Sequence, residues 1–195
     1  GLMLALFAGV IIDRVNRKWL LVYLDLFRLV VVASFLLVLS QYEFQLWILY
    51  PTMILMGLGN SLFWPTAQAF VQEIVNEKEY FDANKLLSAS YQVGSILGAS
   101  MGGFIVHLYD PLIALQINVA TYFISAILIS LAPFTFQRSE KNQSSLFDSL
   151  KLGFYFLKNK TNILTLGMTT ILSDVAIWGS LSVLTITISN EIFNK

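Results

Sequence analysis

Residues 9 to 18 read "GVIIDRVNRK". A run of twelve almost wholly apolar residues ends there on an acid, Asp13, with Arg14, Arg17 and Lys18 close behind. As a helix the run would be about 18 Å long, short of a bilayer core of about 30 Å. A signal peptide has that length, but it carries a basic flank before the run and small residues at a cleavage site after it. Gly1 opens the chain with neither. The expectation is therefore the tail of a longer spanning helix, and a chain that is a fragment.

The rest of the sequence has the same character. Of 195 residues, 56% are hydrophobic and 12% charged, with a mean hydropathy of +0.70. A soluble domain carries about 25% charged residues, so the composition implies a polytopic membrane protein. There is no cysteine and one histidine, His107. Thiolate metal sites, disulfides and Cys–His pairs are excluded, and no phosphate-cradling loop ending in Lys-Ser or Lys-Thr occurs. No enzyme chemistry, metal or cofactor is expected. The formal net charge is zero, so bulk charge says nothing about partners; no nucleic-acid partner is expected for a chain of this composition.

Charged residues divide the chain into long apolar stretches: Trp19 to Ser40, Phe44 to Gln72, Leu86 to Leu108, Leu112 to Gln137 and Thr161 to Asn190. Each exceeds the roughly 18 residues of a spanning candidate. They lack strict alternation and are too long for barrel strands, so helices are the solution that satisfies the backbone inside lipid. The predicted fold is an all-α bundle of half a helix and five complete spans.

Basic residues orient it. Connections 13–18, 73–85 and 138–160 alternate in side with the others and hold three, two and five Lys or Arg; the opposite side holds only Lys195. Such a bias puts the basic connections in the cytoplasm. Tyr42, Phe44, Trp47 and Tyr50 form an aromatic belt at one interface, and Trp19 marks the other. Within the longest connection, Leu146, Leu150, Phe154 and Leu157 recur at helical spacing, with Lys151 and Lys158 available to a polar side. That pattern predicts an amphipathic helix on the cytoplasmic interface.

Charges inside spans are expensive, about 2.5–3.5 kcal/mol on an insertion scale. Asp25 and Arg28 lie three apart, share a helix face and can neutralise one another. A structural intramembrane ion pair is the preferred reading. Asp174 has no base near it in sequence. It requires protein, water or a partner on another helix, as a substrate or proton ligand or as a buried polar contact. Asn60, Trp64 and Gln68 follow at i+4 and share a face. An aromatic flanked by amides suits an amphipathic solute; packing against lipid and neighbours is the alternative.

The pattern Gly-x-x-x-Asp-Arg-x-x-Arg-Lys resembles the loop signature joining helices two and three of the major facilitator superfamily. Gly9, Asp13, Arg14, Arg17 and Lys18 match it, and Asn16 stands where glycine is usual. Asparagine tolerates the left-handed conformation better than most residues. "GSILGASMGG" resembles the antiporter signature of the family's fifth helix: Gly94, Gly98, Gly102 and Gly103 match, and Ala99 replaces its proline. "GLGNSLFWPTAQAFVQEIV" resembles the fourth helix, and the drug- or macrolide-efflux and siderophore-exporter-like branch is the nearest.

The resemblance implies three regions. Residues 1–137 would be an N-terminal half-bundle, 138–160 the cytoplasmic interdomain loop, and 161–195 helix seven, the start of the second half. It implies alternating-access efflux of a small amphipathic solute, with protons as a candidate coupling ion. Partners would be the lipid bilayer and the helices absent from this chain, in the cell membrane. Asp13 would be half of a conformational latch to a distant helix, unless its turn only anchors topology. The glycines would form a helix-packing face, and Asp174 would lie near the substrate path. Met53 and Met56 replace the arginine and glutamine usual on helix four of proton-coupled members. The competing reading is a channel or receptor-like helical bundle.

Overall fold

The computed structural model describes residues 9, 11–12, 14–42, 45–132, 151, 155 and 158–193, with the backbone alone at 178, 181–183, 185–186 and 188–193. Every regular element among them is helical: α1 (Arg17–Gln41), α2 (Leu49–Ile74), α3 (Tyr80–Leu108), α4 (Pro111–Leu131) and α5 (Thr161–Phe193). The chain divides into two compact units, Gly1–Lys141 and Asn142–Lys195. The proposed interfacial residues Leu146, Leu150, Phe154 and Leu157 lie outside the described residues.

Local chemistry sets the helix starts. Asn16 caps α1, its side-chain oxygen accepting from Trp19 N at 3.3 Å. Its backbone is extended, with φ −67° and ψ 109°. It is not left-handed; this asparagine is a cap, satisfying an orphan N–H of the first turn. Asn76 and Glu79 form a reciprocal capping box around the short 3₁₀ turn Glu77–Glu79 that leads into α3. Asp110 accepts from Leu112 N at 2.7 Å, and Pro111 follows in the first turn of α4, where a missing N–H costs nothing. A second 3₁₀ turn, Leu46–Ile48, precedes α2.

Among the described residues, five long helices correspond to the five expected spans, with ends shifted by a few residues. Three segments among the described residues are both long and apolar enough to cross a membrane: Arg17–Gln41, Leu46–Ile74 and Pro111–Leu131. The 29 residues of α3 are long enough, about 43 Å at the helical rise. Ser88, Ser90, Gln92, Ser95 and Ser100, with four glycines, dilute its apolar character. In α5 the stretch Thr161–Ile177 is apolar among the described residues.

Within the first unit α1 is the hub, packing against both α4 and α2, while α3 meets α2 and α4 more sparsely. The buried face of α1 comprises Leu21, Val22, Leu24, Asp25, Arg28, Val31 and Val32. Leu21 joins Ala67 and Phe70 in a small core flanked by Phe63 and Ile129. Outward-facing apolar side chains such as Val30, Leu37, Ile54 and Leu128 are exposed, as lipid-facing residues of spanning helices are. No residue of α3 is buried.

One glycine fixes the approach of α2 to α1. A Cβ at Gly59 would lie 2.9 Å from Arg28 Cγ and 3.3 Å from its Cδ, whereas one at Gly57 would have nothing within 4 Å. Overpacking a close contact costs about 1–3 kcal/mol. Gly59→Val therefore lowers the melting temperature in detergent micelles, and Gly57→Val does not. Equal melting temperatures would show that the approach is not tight.

Candidate functional site

The polar residues of the first unit gather at two levels. The inner level is built on Asp25 and Arg28, which are 1% and 7% exposed and form an ion pair through Oδ1 and Nη2. A guanidinium has five donors and a carboxylate two acceptor oxygens, so the pair alone leaves groups unmet. Ser125 of α4 donates to Asp25 Oδ2 at 2.6 Å. Arg28 Nη1 donates to Asn60 Oδ1 of α2 at 3.0 Å, and its Nε reaches Leu24 O at 3.4 Å. The guanidinium carbon lies 4.0 Å from the Phe63 ring centre and 4.8 Å from that of Tyr122, a placement that aromatic faces favour for a cation. Three helices thus meet at one neutralised pair.

The outer level joins the helix ends that the basic turn expectation puts at the cytoplasm. Arg17 pairs with Glu73 in the last turn of α2. A carboxylate there opposes the helix dipole, and the guanidinium offsets it. Lys18 Nζ donates to the carbonyl of Ala132, the C-cap of α4, at 2.7 Å. That bond satisfies an orphan carbonyl with a cation at the favourable helix end. Arg17 and Lys18 therefore tie α1 to α2 and α4, in addition to any part in orientation. Gly9 and Arg14 are exposed and helical, and Asp13 lies outside the described residues.

The three amide and aromatic candidates on α2 separate. Asn60 is exposed but engaged by Arg28. Trp64 is half-buried, with its ring centre 4.8 Å from that of Tyr91 on α3 at a tilt of 51°. Gln68, one turn further, is half-buried. Pro65 sits inside the helix beside Trp64 and removes an N–H from the ladder. Thr66 next to it is fully buried, its hydroxyl donating to Leu62 O at 2.5 Å.

The glycines of α3 are open. A Cβ at Gly94, Gly98, Gly102 or Gly103 would have nothing within 4 Å. In the second unit Asp174 is exposed on α5. Near it, Thr170 donates to Leu166 O at 2.9 Å and Thr165 to Thr161 O at 2.9 Å. These hydroxyls are satisfied on their own helix; Asp174 has no such local partner among the described residues.

Sequence reasoning singled out Asp25, Arg28 and Asn60, though not the bond between Arg28 and Asn60, and did not single out Ser125, Tyr122, Phe63, Tyr91 or Glu73 as their neighbours. The signal was stoichiometric. An Asp–Arg pair at i,i+3 needs further polar partners, and Ser125 is one of few polar residues in its span. Nothing in one sequence says which helix packs on which.

Residues 2–191 match the family described as transmembrane secretion effector, a branch of the major facilitator superfamily. The chain belongs to that family. That family is one of multi-pass membrane transporters rather than enzymes. Over 174 residues, 89% of this chain, it is 26% identical to BacE of Bacillus amyloliquefaciens, which carries the name bacilysin exporter. The BacE of Bacillus subtilis strain 168 is 25% identical over the same length. MdtD of Yersinia pseudotuberculosis (strain IP32953), named for multidrug resistance, is 25% identical over 99 residues, 51% of this chain and 20% of that protein. The chain spans 43% of the length of the BacE proteins. No solved structure is a significant match.

The inner level yields a quantitative expectation. Removing one partner of a buried pair costs about 3–5 kcal/mol, because the other charge is left uncompensated. Asp25→Ala and Arg28→Met should each destabilise the protein in detergent by that order. The double substitution should cost clearly less than their sum. Additive losses in an unfolding titration would show that the two side chains do not share one interaction.

Proposed function

We propose that this chain is the N-terminal part of a secondary active exporter that moves a small amphipathic solute by alternating access. The family match over nearly the whole chain carries this reading, and the names of the BacE and MdtD relatives supply the solute class, antibiotic-like or drug-like compounds. Residues 1–137 serve as the first half-bundle, 138–160 as the interdomain connection and 161–195 as the first helix of the second half. Transport requires both halves, since the solute site of such proteins forms at the interface of their repeats.

Asn60, Trp64 and Gln68 on α2 are proposed solute-path residues, and Asp174 on α5 is, separately, a proposed solute or proton ligand. A carboxylate inside a span is a functional candidate because of what it costs to keep there, and Asp174 has the least local compensation. Proton coupling, if it operates, cannot use an arginine at position 53, which is methionine. Asp13 is the proposed latch to a helix beyond this chain. Gly94, Gly98, Gly102 and Gly103 are its proposed close-packing face against the remainder of the transporter, in keeping with the open space beside them.

The test uses the complete transporter in liposomes. With the interior acidified, it should accumulate rhodamine 6G, and a protonophore should abolish the uptake. Asp174→Asn should reduce proton-driven uptake at least tenfold. Uptake that ignores the protonophore would refute proton coupling, and single-channel current steps would refute the transporter reading. Asp13→Asn should slow transport about tenfold while leaving membrane insertion unchanged. Wild-type rates from that variant would reduce the turn to a topology anchor.

A further inference from the structure

The bond between Arg28 and Asn60 fixes more than a helix contact. A guanidinium only donates hydrogen bonds. Whatever atom of Asn60 receives Arg28 Nη1 at 3.0 Å must therefore be its carbonyl oxygen. This settles the orientation of the amide by chemistry, where an amide flip otherwise has to be assigned from its surroundings. Arg28 is itself held: Asp25 takes its Nη2, Phe63 and Tyr122 cover its faces, and Gly59 passes against its stem. The buried guanidinium is a fixed post, and Asn60 is the exposed end of the network.

The two amide N–H groups of Asn60 are thereby directed away from Arg28. They donate to no described residue. A bare pair of donors facing hydrocarbon is costly, so this side of α2 calls for water or a ligand that accepts hydrogen bonds. One helical turn away on the same face stands Trp64, in tilted ring contact with Tyr91. A donor pair and an aromatic step one turn, about 5.4 Å, apart along the helix define a solute with matching parts.

We propose that Arg28 is a positioning residue that presents Asn60 as a hydrogen-bond donor, so the exporter selects solutes carrying an acceptor oxygen next to an aromatic or apolar part, with Tyr91 completing the aromatic contact. This deepens the exporter reading above and rests on it. An acceptor oxygen here means a carbonyl, ether or carboxylate oxygen, the group that pairs with two amide N–H donors.

Two aromatic cationic dyes separate the possibilities: rhodamine 6G, which has an ester carbonyl, and ethidium, which has no oxygen. The complete transporter in liposomes should take up rhodamine 6G with a lower KM than ethidium. Asn60→Asp keeps the size and a partner for Arg28 but removes both donors. It should erase the KM preference at least tenfold while the two kcat values stay within about twofold of each other. Arg28→Lys, which still only donates, should keep the preference. The charge-neutral double variant D25N/R28M should lose it, because Asn60 is then free to turn. Tyr91→Ala should raise KM for both dyes.

A preference that survives Asn60→Asp overturns the inference and leaves the exporter reading intact. So does a loss of kcat for both dyes, with the KM ratio unchanged, in D25N/R28M, which would mark Arg28 as structural only. Wild-type transporter that moves neither dye overturns the exporter reading and the inference with it. Should the double variant fail to fold, Asn60→Asp alone decides the matter.

Discussion

Burying a carboxylate and a guanidinium among apolar helices is tolerable only when every hydrogen-bonding group finds a partner, and that demand organises the first unit. Asp25 and Arg28 neutralise each other on α1 and Arg28 Nε reaches Leu24 O on the same helix, but the second carboxylate oxygen and Nη1 find their partners on neighbouring helices. Ser125 must therefore come from α4 and Asn60 from α2, each at one height and one rotation. Gly59 lets the arginine stem lie close, and Phe63 and Tyr122 occupy the faces that no hydrogen bond can use. Replacing such a pair with apolar residues is often neutral or stabilising. The pair is better understood as a register device than as a reservoir of stability.

A second set of polar ties repeats the pattern at the helix ends. Arg17 reaches α2 through Glu73, and Lys18 reaches α4 through the Ala132 carbonyl. Both levels join the same three helices, α1, α2 and α4. α3 has no buried residue, and its link to α2 includes the tilted Trp64–Tyr91 ring contact. Three helices are clamped at two heights and one is held at their edge. In lipid, where apolar surface gives no net drive for helices to associate, polar ties and close packing decide which helices move together.

Much of this was legible from the residues. Helix number, approximate ends and the self-neutralising pair follow from charge spacing and length, because a bilayer penalises charge and open backbone so strongly that few alternatives survive. The cap at Asn16 was not legible for a physical reason: one residue type serves both left-handed turns and helix starts, and only the backbone dihedrals distinguish them. Ser125 and Tyr122 were not legible, since a contact spanning 100 residues of sequence depends on which helices become neighbours. Asn60 was picked out as a polar group on a plausible face. Its engagement by Arg28, and hence the direction of its amide, required knowing the neighbour.

The long separation between Asp25 and Ser125 also bears on how the protein is made. At about 5–20 residues per second, the serine is synthesised roughly 5–20 s after the aspartate it will meet. Asp25 and Arg28, one turn apart, have no such interval: they are available to each other as soon as that turn has formed. The segment can leave the translocation machinery already neutral and wait in lipid for α2 and then α4. A local pair thus works as a temporary charge shield during biogenesis and becomes the junction of three helices once the later segments arrive.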